Sequence, residues 1–357
     1  MTSLESLVTD RAIVVCCGSG GVGKTTAAAA LALEGARRGR RACVVTIDPA
    51  KRLADALGLE SLTNTAGRVE VDAPGELWAL MLDTKSTFDA LIARYAGAPE
   101  QAERILNNRM YRNIAGALSG TQEYMAMEKL YELHDEGNFD LIVIDTPPTR
   151  NALDFLNAPR RLTRFLDNRL FRIVVMPTRA YLKAVSVATQ AFLRTISRVV
   201  GNQVVGDAIA FFQAFEGMEE GFRTRAQAVL ELLSDKDTAF VLVASPRRDA
   251  VEEAAFFAQR LEESAINVDA LVVNRVHPQF ETERSGARER ARTLHGTPLG
   301  PLYENLADFA EIAEREEAYY ADLTERLTGA VVVKVPFLAD DVHDLDGLAT
   351  VAGYLVA

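Results

Sequence analysis

The residues best suited to do chemistry form a glycine-rich stretch near the start of the chain, GSGGVGKTT at residues 18–26. It follows an apolar run at 12–17 and precedes an alanine-rich stretch, Ala27 to Arg38, with the pattern of a helix. Glycines let backbone N–H groups turn toward phosphate oxygens, and the N-terminus of the following helix adds a favourable partial charge. Because strand, loop and helix occur in the required order, the pattern predicts a phosphate-binding loop rather than a hairpin turn. We therefore expect a site for a nucleoside triphosphate.

The role expected of each loop residue follows from its side chain. The Lys24 ammonium can reach the terminal phosphates and is expected to act in catalysis, and the Thr25 hydroxyl is a ligand that suits Mg²⁺. The residues expected to contact the nucleotide are Gly20, Gly21, Val22, Gly23, Lys24, Thr25 and Thr26.

Two acidic residues lie at the ends of apolar runs. Asp145 ends the run at 139–145, and the carboxyl ends of strands are where open α/β sheets bind ligands. With a phosphate-binding loop upstream, we expect Asp145 to hold Mg²⁺ through its water shell. Asp48 follows the run at 41–47 and is expected to orient or deprotonate the attacking water, with a contact to Mg²⁺ through water as a further role. Its alternative role is to cap a helix that begins near Pro49, and the two roles can alternate between nucleotide states.

Recognition of the base has weaker signals. Asn274 ends a late apolar run, and its amide can read adenine. Pro336 and Phe337 end the last run and can stack against the base. The alternative is that Asn and Pro simply terminate strands.

Seven short apolar runs separated by helical stretches must position these residues. They lie at 12–17, 41–47, 77–82, 139–145, 239–244, 268–274 and 330–335. Near-continuous Val, Ile and Leu is typical of strands buried on both faces, so we predict an α/β fold with a mostly parallel, doubly wound sheet.

The helical parts of the chain interrupt this sheet. No convincing strand occurs between about 160 and 234, where apolar residues recur at helical spacing. We predict a single nucleotide-binding domain over 1–357. Its core comprises 1–98, 136–159 and 236–357, and its α-helical insertion subdomain comprises 99–135 and 160–235.

Composition excludes several classes of protein. The net charge of −11 argues against nucleic-acid binding as the main function. The chain shows neither a secretory signal nor an apolar stretch long enough to span a bilayer, so we expect a cytoplasmic location, with peripheral membrane contact left open. Cys16, Cys17 and Cys43 lie in predicted strands and are expected to act as small apolar residues rather than metal ligands.

One segment of the helical insertion is strongly basic. Between Arg160 and Arg198 there are nine Arg or Lys residues and one acid, Asp167, which gives +8. Apolar residues, including Phe165 and Phe192, are interleaved with them. One interpretation is a helix pair that packs on the core and exposes a solvated basic face. The other is a surface for an apolar partner helix or an acidic membrane face.

Taken together, these segments resemble the family of arsenical-pump and tail-anchored-protein-targeting ATPases, a class of P-loop NTPases with a deviant Walker A loop. Residues 19–26 are similar to that loop, 48–50 with 53–55 to switch I and 145–149 to switch II. Asn274 and the segment 335–337 fall where the family recognises adenine. The resemblance covers nearly the whole chain. It implies an ATP- and Mg²⁺-dependent ATPase that opens and closes as a dimer, with the helical subdomain carrying the cargo.

Three features depart from the family pattern. Ser19 stands where the family has a signature lysine that reaches the partner's nucleotide. Arg150 and Asn151 replace the usual Gly-His after the switch II threonine, and the dimer-bridging zinc cysteines and arsenite-binding cysteines are absent. The serine implies a slow ATPase, or one that pairs with a related subunit, because a transition-state cation is worth about 10³–10⁵ in rate. Arg150 is the candidate to supply that charge, the alternative being a surface arginine in an ion pair.

Three functions remain open. The first is a switch ATPase, a homodimer or a heterodimer with a related subunit, that grips and releases a hydrophobic client helix. The second is the energising subunit of a membrane anion pump. The third is a positioning scaffold of the partition or septum-site type, which the acidic start of the C-terminal segment disfavours.

Overall fold

In the computed structural model, residues 4–47, 52–109, 111, 121–147, 207, 210, 214, 217–279 and 284–357 are described. The chain divides into two compact units. The first comprises Met1–Met81, Leu133–Leu153 and Ser234–Ala357, and the second comprises Leu82–Glu132 and Asp154–Leu233. The proposed helical subdomain began at residue 99, whereas the second unit begins at Leu82.

The first unit is built on one eight-stranded sheet, whose order is β3-β4-β2-β5-β1-β6-β7-β8. The strands are β1 Ile13–Gly18, β2 Arg41–Thr46, β3 Gly67–Val69, β4 Glu76–Met81, β5 Leu141–Asp145, β6 Thr238–Ala244, β7 Ala270–Val276 and β8 Val331–Pro336. All neighbouring pairs are parallel except β3 with β4. The predicted α/β fold with a mostly parallel sheet is therefore confirmed. The short antiparallel edge strand β3 was not predicted.

The registers of the central strands bring distant residues side by side. In β5, Asp145 lies beside Cys16 of β1 and Thr46 of β2. All residues of β1, β5 and β6 are buried, as expected for strands with helices on both faces. The carboxyl ends of β1, β2 and β5 therefore meet at one point of the sheet edge, directly before the glycine-rich loop.

Helices of the first unit cover the sheet. They are α1 Leu4–Asp10, α2 Lys24–Arg37, α3 Arg52–Ala56, α8 Arg248–Glu263, α9 Arg284–Thr293, α10 Gly300–Arg326 and α11 Leu345–Val356. Helix α2 is the central one, and its alanines lie in the core. Its Gly35 faces β5 so closely that a Cβ there would lie 2.5 Å from Leu141 Cδ2. Small residues thus allow α2 to pack tightly under the loop that it supports.

Helices also make up the described part of the second unit. They are α4 Thr84–Tyr95, α5 Pro99–Leu106, α7 Glu219–Leu233 and most of α6, Thr121–Asp135. Asp83 caps α4 by accepting a 2.6 Å hydrogen bond from the Ser86 N–H. The basic segment 160–198 lies outside the described residues, so its two interpretations stay open. None of the helices described is both long and apolar enough to cross a membrane.

Candidate functional site

The glycine-rich loop joins β1 to α2 and depends on a glycine at its end. Gly23 is the N-cap of α2 and has φ +96°, a backbone conformation that favours glycine. A Cβ at Gly23 would also lie 2.1 Å from Asn274 Nδ2. Gly21 has φ +77° but faces open space. A side chain at position 23 would therefore strain the backbone and force the Asn274 side chain or the loop to shift.

Lys24 is held inside the loop. Its Nζ donates a 2.8 Å hydrogen bond to the backbone oxygen of Ser19, and its side chain is buried. The ammonium thus spans the loop from the first turn of α2. An ammonium in this position can turn to anionic oxygens that enter the loop, because it exchanges one oxygen acceptor for another.

One carboxylate oxygen of Asp145 accepts hydrogen bonds from two hydroxyl groups. Thr25 Oγ1 donates a 2.7 Å hydrogen bond to Asp145 Oδ2, and Thr46 Oγ1 donates to the same atom at 3.0 Å. Asp145 is 1 % exposed. A hydroxyl and a carboxylate at this separation are the oxygen ligands that Mg²⁺ prefers, with waters completing its shell.

The chain beyond β5 is fixed to β1 before it leaves the described part. Thr146 donates its hydroxyl to the Cys16 backbone oxygen at 2.8 Å and its N–H to the same oxygen at 3.2 Å. On the neighbouring strand, Ile47 donates its N–H to the Asp145 backbone oxygen at 3.3 Å. Asp48 and Arg150 lie outside the described residues, and the roles expected of them stay predictions.

The cysteines beside the loop are buried in the sheet. Burial raises the pKa of the Cys17 thiol from 9.0 to about 12, and burial raises that of Cys16 well above the same value. The thiols therefore stay protonated at neutral pH, which suits packing and disfavours nucleophilic or thiolate chemistry.

A cavity of about 650 Å³ opens at this edge of the sheet. Its lining contains the predicted Mg²⁺ residue Asp145 and most of the predicted nucleotide contacts, namely Gly21, Gly23, Lys24, Thr25, Thr26, Asn274, Pro336 and Phe337. Gly20 is exposed outside this lining, and Val22 is buried beneath it. The phosphate-loop residues and the candidate base contacts therefore share one cavity, although contact with a nucleotide stays a prediction for each of them.

Asn274 has a structural role in addition to the one predicted. Its Nδ2 donates a 2.8 Å hydrogen bond to the Val22 backbone oxygen, which ties the end of β7 to the phosphate loop. One amide hydrogen is thereby used within the protein. The other amide hydrogen and the carbonyl oxygen keep the capacity to contact a base.

Several lining residues were not singled out from the sequence. Arg275 has φ +64° at a register shift between β7 and β8, so a non-glycine residue in a left-handed conformation lines the cavity. Asp340 and Asp341 line the same cavity, and Arg52 lines it from α3. Thr46, which bonds to Asp145, is in the sequence only one residue of the apolar run at 41–47. A hydroxyl at the end of a strand next to the predicted Asp145 strand was the signal that could have revealed it.

Comparison with known proteins gives a consistent result. The model of the family described as anion-transporting ATPase matches residues 11–357. The chain is 26 % identical to a Trypanosoma cruzi protein named ATPase ASNA1 homolog, over 95 % of this chain and 89 % of that protein. It is 24 % identical to ATPase GET3 of Podospora anserina, over 85 % of each chain. A protein of Aquifex aeolicus, provisionally named arsenical pump-driving ATPase 1, is 23 % identical over 95 % of this chain and 77 % of its own length.

Proposed function

The chain belongs to the anion-transporting ATPase family, and from this premise we propose that it is a Mg²⁺- and ATP-dependent switch ATPase. ATPase activity follows from the family and from the names of its relatives. The proposal adds the nucleotide, the metal, the residues that act on them and the coupling of nucleotide state to a partner.

The link between Thr25 and Asp145 carries the proposal. Its 2.7 Å hydrogen bond joins the phosphate loop to the end of the adjacent strand. Thr25 would bind Mg²⁺ directly and Asp145 through water, while Lys24 would leave the Ser19 backbone oxygen for the phosphates. The loop fits a triphosphate because Gly21 and Gly23 have positive φ values, a backbone conformation that can turn successive N–H groups toward one anion. Bound ATP would supply the terminal phosphoryl group that is transferred to water.

Asp48 is proposed to orient the attacking water, and Arg150 to supply a transition-state charge. The hydrogen bond from Ile47 to Asp145 supports the first role, since it brings the residue before Asp48 to the candidate metal site. The support for Arg150 is its position in the sequence, five residues after Asp145. A cation from elsewhere is needed because Ser19, at the position of the family's signature lysine, carries no charge.

The switch is proposed to act through a dimer and through the helical segments 99–135 and 160–235. Nucleotide would favour the closed state of a homodimer, or of a heterodimer with a related ATPase subunit, and the helical segments would bind a hydrophobic helix or a membrane protein. To move a dimer from mostly open to mostly closed, nucleotide must favour one state by about 5.5 kcal/mol. The support for this assignment is the resemblance of the sequence to the arsenical-pump and tail-anchored-protein-targeting ATPases.

The test combines oligomeric mass with turnover. Mass by light scattering and ATP hydrolysis would be measured with ADP and with a non-hydrolysable ATP analogue, for the chain alone and mixed with a related subunit. We expect low turnover by the chain alone and a rise in mass with the ATP analogue. Fast turnover by a dimer whose mass is the same with ADP and with the ATP analogue would contradict the switch.

The family description favours one second function, that of the energising subunit of a membrane anion pump. Purification from native membranes and extract distinguishes the two. A single co-purified integral membrane protein, whose anion transport depends on ATP hydrolysis by this chain, would support the pump. A mixture of apolar segments released by ATP would support the client switch.

A further inference from the structure

An aromatic pair lies at the outer wall of the nucleotide cavity. Phe337 lines the cavity and is 61 % exposed, so its side chain remains largely accessible. The His277 ring stacks on Phe337 with an interplanar angle of 11° and a centroid distance of 6.2 Å. The Phe337 backbone is fixed in addition, because its N–H donates a 2.8 Å hydrogen bond to the Val276 oxygen. His277 is therefore the ring that supports Phe337.

His277 is held by one carboxylate at two points. Glu316 of α10 accepts a 2.8 Å hydrogen bond from the His277 backbone N–H on Oε2, and its Oε1 lies 2.7 Å from His277 Nδ1. An ionised carboxylate only accepts hydrogen bonds, so this pairing places the proton of the imidazole on Nδ1. Two bonds to one side chain fix both the position and the plane of the ring.

Helix α10 supports the same wall at neighbouring points. Phe309 packs against His277 with a centroid distance of 6.0 Å. Glu317, which follows Glu316 in the helix, accepts hydrogen bonds from Lys334 Nζ at 2.7 Å and Gln279 Nε2 at 2.9 Å. Glu317 thus tethers α10 to β8 and to the segment after β7 without a hydrogen bond to His277.

We propose that His277 and Glu316 are positioning residues for base recognition: Glu316 orients His277, and His277 holds the Phe337 ring in the plane that stacks on a purine base. The inference rests on the proposed function, because it assumes that the cavity takes a nucleoside triphosphate. It assigns the outer wall to the base alone, whereas Lys24 and the glycine loop serve the phosphates. Asn274 is consistent with this division of roles, because its Nδ2 donates a hydrogen bond to the Val22 backbone oxygen and leaves only part of the amide for the base.

The experiment separates the base from the phosphates. KM and kcat for ATP, and inhibition by inorganic tripolyphosphate, would be measured for the wild type, His277→Ala and Glu316→Ala. We expect each variant to raise KM for ATP by about tenfold, the scale of one base–aromatic stacking contact, with kcat within about twofold. Tripolyphosphate has no base, so its inhibition constant should not change.

Two variants serve as controls. Glu316→Gln keeps an acceptor for the His277 backbone N–H, and its amide can donate to Nδ1 once the ring proton moves to Nε2, so its KM should stay at the wild-type value. Glu317→Ala breaks the tether of α10 beside His277 and Glu316 and should leave KM unchanged. Should Glu316→Ala fail to fold, His277→Phe, whose ring cannot bond to Glu316, replaces it with the same expected rise in KM.

Three results would overturn the inference while leaving the ATPase intact. They are an unchanged KM in both alanine variants, an equal loss of affinity for ATP and tripolyphosphate, and an effect of Glu317→Ala as large as that of Glu316→Ala. Failure of the wild-type chain to bind ATP is a separate result, and it would overturn the proposed function itself.

Discussion

Thr25 and Asp145 are 120 positions apart in the chain, and the hydroxyl of the first donates a 2.7 Å hydrogen bond to the carboxylate of the second. The parallel registers of β1, β5 and β2 create this contact, because Asp145 lies beside both Cys16 and Thr46. It links the loop expected to hold phosphates to the carboxylate expected to hold Mg²⁺. The proposed chemistry therefore depends on the sheet register as much as on the loop.

Asp145→Asn is expected to remove the charge that favours Mg²⁺ while keeping the shape of the side chain. We expect kcat for ATP to fall by about a hundredfold or more, while binding of ATP in EDTA changes little. Titration of turnover with Mg²⁺ checks this. A wild-type dependence on Mg²⁺ in Asp145→Asn would contradict the assignment.

Thr46 tests the second hydroxyl on the same carboxylate. Thr46→Val removes its 3.0 Å hydrogen bond to Asp145 and should weaken Mg²⁺ binding by about tenfold. Thr46→Ser keeps the hydroxyl and is the matched control, expected to behave as wild type. Equal Mg²⁺ dependence in the Val and Ser variants would show that Thr46 does not orient Asp145.

Glycines 21 and 23 form a matched pair in the loop. An added Cβ at Gly23 meets Asn274 Nδ2 at 2.1 Å, whereas one at Gly21 meets nothing within 4 Å, and both residues have positive φ. Gly23→Ala should weaken nucleotide binding more strongly, because the Asn274 side chain or the loop must shift, and Gly21→Ala should weaken it only through backbone strain of about 1–2 kcal/mol. Calorimetric titration with ATP checks both variants. Equal affinities in the two would contradict the role of Asn274 as the boundary of the loop.

The buried thiols predict a dependence of stability on pH. The pKa of Cys17 is about 12 in the folded chain against an ordinary 9.0, because burial disfavours the thiolate. Above pH 9 the unfolded state therefore loses this proton before the folded state does, so the free energy of unfolding falls as pH rises from 9 toward 12. Cys17→Ala should reduce this slope in denaturant titrations. An unchanged slope would show that another group causes the alkaline loss.

An ion pair in the second unit predicts a large loss of stability. Arg225 Nη2 lies 2.7 Å from Glu128 Oε1, and the side chains are 8 % and 2 % exposed. Arg225→Leu leaves the carboxylate buried alone and should cost about 3–5 kcal/mol of unfolding free energy, whereas the double change with Glu128→Leu should cost less. The exposed pair Arg248–Glu252 is the control, and Arg248→Leu should have a much smaller effect. A double variant no more stable than Arg225→Leu would contradict this account.

The sequence was sufficient to predict seven of the eight strands and nearly half of the residues that line the cavity. Strands buried on both faces give continuous apolar runs, and the glycine-rich motif locates the strand end where they converge. Contacts that depend on the register of the strands and on helix packing could not be predicted from the sequence. Thr46 looks like any residue of β2, and the pairing of Glu316 with His277 joins residues 39 positions apart.

Other features were missed because their local signals are weak. Strand β3 has only three residues and is fixed by pairing with β4, so it carries little pattern of its own. Arg275 has a positive φ value that arises at a β-bulge rather than from its residue type.

The most direct test of the central claim is ATP hydrolysis by the purified chain, with and without Mg²⁺, beside Lys24→Ala. Lys24 is buried in the loop and bonded to the Ser19 oxygen, so its removal should eliminate the ammonium expected at the phosphates. The account predicts saturable ATP binding and slow phosphate release that needs Mg²⁺, both lost in Lys24→Ala. Hydrolysis that persists in Lys24→Ala, or a wild-type chain that does not bind ATP, would contradict it.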